Sequence, residues 1–168
     1  MKLPSNIFLG LFISLAVLSC TNNDAQQEFE RQALSLPEGI TRTDNDTNII
    51  GDADDDDWRS SPFYTGIAFI EPAFPNPILY GTTANLDVDM NGNSLTSILE
   101  LGFFDLSIPS NPWIQLELKE DITEFSFPSF IINSNFFGSN AEQARGFYRL
   151  IVFDGNNRVV TYGDIQIE

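Results

Sequence analysis

The chain is predicted to be all-β: an antiparallel β-sandwich of about seven strands, preceded by an apolar leader and an acidic segment. Three observations carry this prediction. From residue 58 onward, short aromatic and β-branched runs alternate with turn signals, and no sustained helical period appears. Most of the 15 phenylalanines fall in that stretch, as a two-sheet interior requires. Residues 21–57, by contrast, hold 11 acidic and 2 basic side chains and few large apolar ones. The organisation expected is therefore a leader over 1–19, a flexible acidic tether over 20–57 and a folded domain over 58–168.

The leader comes first. Lys2 supplies a positive start, and 7–18 is almost wholly apolar. A spanning helix needs about 20 apolar residues, so a run of about a dozen is too short to cross a bilayer. It fits the core of a secretory signal peptide. The run closes on Val17-Leu18-Ser19-Cys20, which contains the only cysteine. This stretch resembles the lipobox of bacterial lipoproteins, although Leu18 stands where a small or β-branched residue is usual. The resemblance implies that Cys20 becomes the new N-terminus and carries lipid on its sulfur and amino group. Several buried acyl chains hold a protein far more firmly than one. Thr21 follows the cysteine where aspartate would favour retention in the inner membrane, so the expected location is the cell envelope at the outer membrane. No cysteine lies beyond Cys20, and the mature domain must hold together without a disulfide.

In the acidic segment, Asp24 with Gln27 three residues on is a helix-start signal. Phe29, Ala33 and Leu34 would give that helix a thin apolar stripe, and Pro37-Glu38-Gly39 ends it. Beyond, Asn, Asp and Thr dominate up to the run Asp54-Asp55-Asp56-Asp57. Like charges in such a run repel and extend the chain. As a flexible coil the segment would span on the order of 35 Å. No glycine turns the aspartate run into a cage, so it is read as a solvated tether and not a calcium site.

The strands follow in order. Residues 64–70 read as the first. Pro72, Pro75 and Pro77 then force an extended crossing that no central strand tolerates. Residues 84–90 alternate strictly, with Leu86, Val88 and Met90 on one face and Asp87 and Asp89 on the other. Asn91-Gly92 is a hairpin signal. Further strands are expected over 96–105, 113–119 and 122–132, the last interrupted by Pro128. Residues 146–153 and 158–167 form the clearest hairpin, joined by Asp154-Gly155-Asn156-Asn157.

The stretch Arg145-Gly146-Phe147-Tyr148-Arg149-Leu150-Ile151-Val152-Phe153-Asp154-Gly155 resembles the last hairpin of immunoglobulin-like domains. The resemblance implies that Tyr148 ties down the corner before the penultimate strand. There is no Cys…Trp…Cys framework, so an antibody-type domain is not implied. Phe74-Pro75-Asn76-Pro77 is similar to the opening of the C-terminal sorting domains of bacterial type IX secretion, themselves small β-sandwiches. The closing residues Asp164-Ile165-Gln166-Ile167-Glu168 lack the basic residues common at such termini.

The chemistry is bounded by what is missing. With no histidine and a single cysteine that the lipobox resemblance implies is lipidated, Ser-His-Asp triads, Cys-His pairs and histidine- or thiolate-ligated metals are excluded. No cofactor is expected, and the chain is read as not an enzyme. A formal charge of −16 repels nucleic acid and anionic lipid surfaces. Asp87, Asp89 and Asn91 with Gly92 match the first half of a calcium loop, but Ile98 stands where the closing glutamate belongs. The expectation is no metal. Asp105 with Glu117, or Glu120 with Asp121, are carboxylate pairs that any acidic sandwich offers. Trp58, Tyr64, Tyr80 and Trp113 are candidate ligand-binding residues, as an aromatic platform for sugar rings. The expected function is a membrane-anchored, non-enzymatic module that binds or assembles with another envelope protein. A carbohydrate-binding surface lipoprotein and a sorting-type secretion domain are the alternatives.

Overall fold

The computed structural model describes residues 24–91, 96–105, 112–123 and 125–168; Cys20, the leader and Gly92 lie outside the described residues. Seven strands form: β1 Ala68–Ile70, β2 Thr83–Met90, β3 Leu99–Phe104, β4 Trp113–Lys119, β5 Ser129–Asn133, β6 Gly146–Asp154 and β7 Val159–Ile167. They make two antiparallel sheets, ordered β1-β2-β5 and β4-β3-β6-β7. This is an immunoglobulin-like sandwich in which the fourth strand pairs with the third, not with the fifth as in the constant-type order. A helix α1 covers residues 24–33 and a single turn α2 covers Ala141–Ala144, just after a 3-10 turn over Ser134–Phe137.

The alternation of β2 is realised: Ala84, Leu86, Val88 and Met90 are buried between the sheets, while Asn85, Asp87 and Asp89 face outward. They meet Leu99, Leu101 and Phe103 of β3, Phe130 and Ile132 of β5, and Leu150 and Val152 of β6. Two local expectations are corrected. Residues 64–67 turn instead of extending, because the Tyr64 carbonyl accepts from Ile67 and Ala68 and its ring drops fully into the core. The hairpin signal Asn91-Gly92 runs into residues outside those described, but the strands on either side, β2 and β3, do not pair with each other. β2 is paired on both sides, by β1 and β5, so the chain leaves it for the other sheet. At the corner before β6, the Tyr148 hydroxyl donates to the Ala144 carbonyl at 2.9 Å, the tie implied by the immunoglobulin-like pattern.

The larger correction concerns 24–57. It is not an extended tether. α1 lies on the outer face of the four-stranded sheet, with Phe29 and Ala33 buried against Ile151, Val159 and Tyr162. The Phe29 and Tyr162 rings sit 4.9 Å apart. Helix, four-stranded sheet and three-stranded sheet thus form three layers. The apolar stripe of α1 is thin, but two residues suffice because β6 is apolar on both faces through Leu150-Ile151-Val152-Phe153.

The aspartate-rich chain then wraps the free edge of β7. Thr41 and Thr43 are buried, and Thr43 exchanges backbone hydrogen bonds with Asn76. Asp57 accepts from the Thr41 amide and the Asp164 amide, both at 2.7 Å. Trp58 and Ser61 donate their amides to Tyr162 and Val160. The amides of Ile78 and Tyr80 donate to Gln166 and Glu168. Phe74-Pro75-Asn76-Pro77 completes the seal. Both of its X-Pro bonds are cis, and the buried Asn76 amide donates to the Thr41 and Asp164 carbonyls while its oxygen accepts from Gln166. An edge strand would otherwise present these groups as a template for aggregation.

Charge repulsion in the aspartate run is offset by burial and pairing. Asp56 lies 3.4 Å from Arg149, and its carboxyl is held above the usual range by the neighbouring Asp54 and by burial. Burial pushes Asp57 up to about 7, against the lowering effect of its two backbone donors. The folded state therefore keeps a proton on Asp57 that the unfolded chain releases near pH 4. Stability from this group is fully present below that value and falls as pH rises through about 7. Thermal midpoints are expected to decrease from pH 5 to pH 8. Asp57→Asn, which cannot ionise, is expected to flatten that slope. An unchanged slope would show that other carboxylates control it.

Candidate binding surface

The strands and the corner that Tyr148 ties down converge on an aromatic groove of about 670 Å³ at one end of the sandwich. Its floor is Phe103 at the end of β3, Phe137 from the 3-10 turn, and Tyr148 at the start of β6. Phe103 and Phe137 stack with centroids 4.8 Å apart, and Phe137 and Tyr148 approach to 4.4 Å. Its rim is exposed: Phe136 and Phe147 are 56% and 55% accessible, and Leu34 and Leu36, just beyond α1, are 61% and 70% accessible. Phe104 forms the ridge on the sheet side. Ser35, Asp105, Gln143 and Arg149 add polar groups to the lining. Among its lining residues Asp105 is the carboxylate and Arg149 the cation, and Arg149 is committed to a buried pair with Asp164.

Phe104 also borders a second cleft, of about 370 Å³, lined from the four-stranded sheet by Glu100, Trp113 and Phe153 and from the β6–β7 turn by Asn157. Trp113 of β4 reaches across Gly102 of β3, where a Cβ would come within 2.5 Å of the indole. The small residue lets the ring lie over the sheet. Phe104 is tilted against it at 5.0 Å and Phe153 of β6 meets it edge-on at 5.2 Å. The indole N–H donates to Glu100 at 2.5 Å, which fixes the ring.

The four aromatic residues singled out from the sequence do not form a platform. Trp58 is 4% exposed and lies against Gly163, and Tyr64 is fully buried with its hydroxyl donating to Asp154 at 2.9 Å. Burial and that carboxylate hold the Tyr64 hydroxyl above its ordinary range. Tyr80 is half-buried beside Gly138, to whose carbonyl its hydroxyl donates at 3.3 Å. Trp113 alone of the four lines a cleft. Asp87 and Asp89 stand on the outer face of β2, beside Ser129 and Phe69, and Asn91 follows the strand. Among the described residues no three metal-ligating side chains converge. Glu117 is occupied by Lys119 and by the Ile131 amide, each at 2.6 Å, a link from β4 to β5.

Sequence reasoning missed the groove. Its residues come from six separated places, and only two adjacent pairs, Phe103-Phe104 and Phe136-Phe137, hinted at it. Such pairs cannot both face inward on a strand.

Comparison with known proteins adds little. No protein-family model matches the chain, and no curated protein matches it. Among solved structures it is similar to part of a β-D-glucoside glucohydrolase from Trichoderma reesei, at 11% identity and a TM-score of 0.34. That match covers 51% of this chain and 14% of the glucohydrolase.

Proposed function

We propose that this chain is a lipid-anchored protein of the cell envelope, held at the outer membrane through Cys20, whose domain is a non-enzymatic module that binds another envelope protein through the aromatic groove. The observation that carries the reading is the rim of large apolar side chains exposed around one groove. Contiguous exposure of that kind is a feature of interaction surfaces. The groove offers no pair of carboxylates for acid–base work among its lining residues. The formal charge of −16 favours a partner that brings basic residues alongside its apolar ones.

The folded 24–57 segment changes the geometry of anchoring. Four residues from Cys20 to residue 24 reach at most about 14 Å. The domain is thus held close to the lipid surface. α1 is about 15 Å long, and Leu34 and Leu36, which follow its C-terminal end, line the groove. Fractionation of cells tests the anchor: wild-type protein is expected with the membranes and Cys20→Ala in the soluble fraction. Equal membrane association of the two would overturn it.

A further inference from the structure

The cleft around Trp113 is separate from the groove, and its lining has a different chemistry. Three aromatic rings, the Glu100 carboxylate and Asn157 line it. The rings are not coplanar. Phe104 and Phe153 stand at 56° and 77° to the indole, so they wall the space instead of extending a flat platform. A sugar ring needs several donors and acceptors around its hydroxyls, and this cleft supplies one carboxylate and one side-chain amide. A cation bearing alkyl groups needs aromatic faces, one carboxylate and little else, because the ring quadrupoles attract positive charge. The acidic field of the whole chain concentrates cations and repels anions. The Trp113 indole is held in place by its bond to Glu100 and by the room that Gly102 leaves, so the walls are built before any ligand arrives. All five lining residues belong to the described chain, and Trp113 and Phe153 also pack against the cluster that α1 forms with β6 and β7, which steadies that side of the cleft.

We infer that the cleft formed by Glu100, Phe104, Trp113, Phe153 and Asn157 is a binding site for an alkylammonium cation. The cation comes either from a free small molecule with a quaternary ammonium group or from a lysine side chain of a partner. The inference does not depend on the proposed partner groove, although Phe104 borders both.

The test uses the whole folded domain and its own fluorescence. The chain has two tryptophans, and Trp58 is buried, so a ligand at the cleft reports through Trp113. Choline, its neutral tert-butyl isostere and Nα-acetyl-lysine amide are titrated separately. Saturable quenching or shift is expected with at least one of the two cations at millimolar or tighter affinity, and the neutral isostere is expected to be weaker by about tenfold. Tighter binding of choline assigns the site to a free quaternary ammonium, and tighter binding of the lysine amide assigns it to a partner side chain. Glu100→Gln keeps an acceptor for the indole N–H and should weaken the cation about fivefold without weakening the isostere. Trp113→Ala should abolish the response, with binding followed by calorimetry. No binding of either cation, or equal binding of choline and its isostere, would overturn the inference.

Discussion

Arg149→Ala is expected to cost about 3–5 kcal/mol, since it strips a buried carboxylate of its partner. The Arg149 and Asp164 side chains are only 5% and 2% exposed. The guanidinium forks onto both Asp164 oxygens at 2.7 and 2.8 Å. Its remaining amine reaches the Gln32 carbonyl at 2.8 Å and the Ser35 hydroxyl at 2.6 Å. Gln32 lies in the last turn of α1, where carbonyls lack helical partners and a cation is favoured. One side chain thus joins two strands, the helix end and, through Asp56, the wrapping segment. In a chain of this size the midpoint should fall by on the order of 10 °C. Arg149→Lys is expected to recover little, because a single ammonium cannot reproduce the fork. Melting followed by circular dichroism checks this, and an Arg149→Ala midpoint close to wild type would remove the network from the account of stability.

Phe29→Ala carries the second large effect. Truncating a buried phenylalanine costs about 3–5 kcal/mol when its surroundings cannot collapse. Here the loss falls on one docking contact, so the opening should be local before it is global. Amide exchange is expected to accelerate in residues 24–33 and in 41–57, while β2 and β5 keep their protection. Uniform acceleration across both sheets would mean that α1 is part of the cooperative core. Unchanged exchange over 24–57 would mean that Phe29 does not hold the segment down.

The central β pattern was readable because its physics is local. β2 alternates apolar and acidic residues, and β4 begins and ends where the alternation does. The β6–β7 hairpin carries its own turn, whose Asp154 side chain accepts from the Asn156 and Arg158 amides. The fate of 24–57 was not readable in the same way. Its composition describes a chain that cannot bury itself, and it does not do so alone. The apolar surface it needs belongs to β6 and β7, more than 100 residues away in sequence. One signal did exist. Leu150-Ile151-Val152-Phe153 is an unbroken apolar run, where a strand with one wet face would alternate. A run buried on both faces demands a covering layer, and α1 is that layer. The candidate site was legible only in part. Trp113 was visible as a candidate ligand-binding aromatic at the start of a strand, but Trp58 and Tyr64 carried the same reading in sequence and are core. What separates them is the fold. Trp113 stands on the outer face at the border of the α1 cluster and lines a cleft, and Trp58 is enclosed beside Gly163.

The central claim is that the aromatic groove is the face this domain presents to another envelope protein. Photo-crosslinking in intact cells tests it most directly, with a photoreactive residue placed at Phe136 or Phe147 on the rim and, as a control, at Phe69 on the outer face of the three-stranded sheet. The account predicts one discrete adduct from the rim positions and none from Phe69. It also predicts that the adduct at Phe147 is lost when Phe136 is replaced by aspartate. Absence of any adduct from the rim, or the same adducts from Phe69, would contradict it.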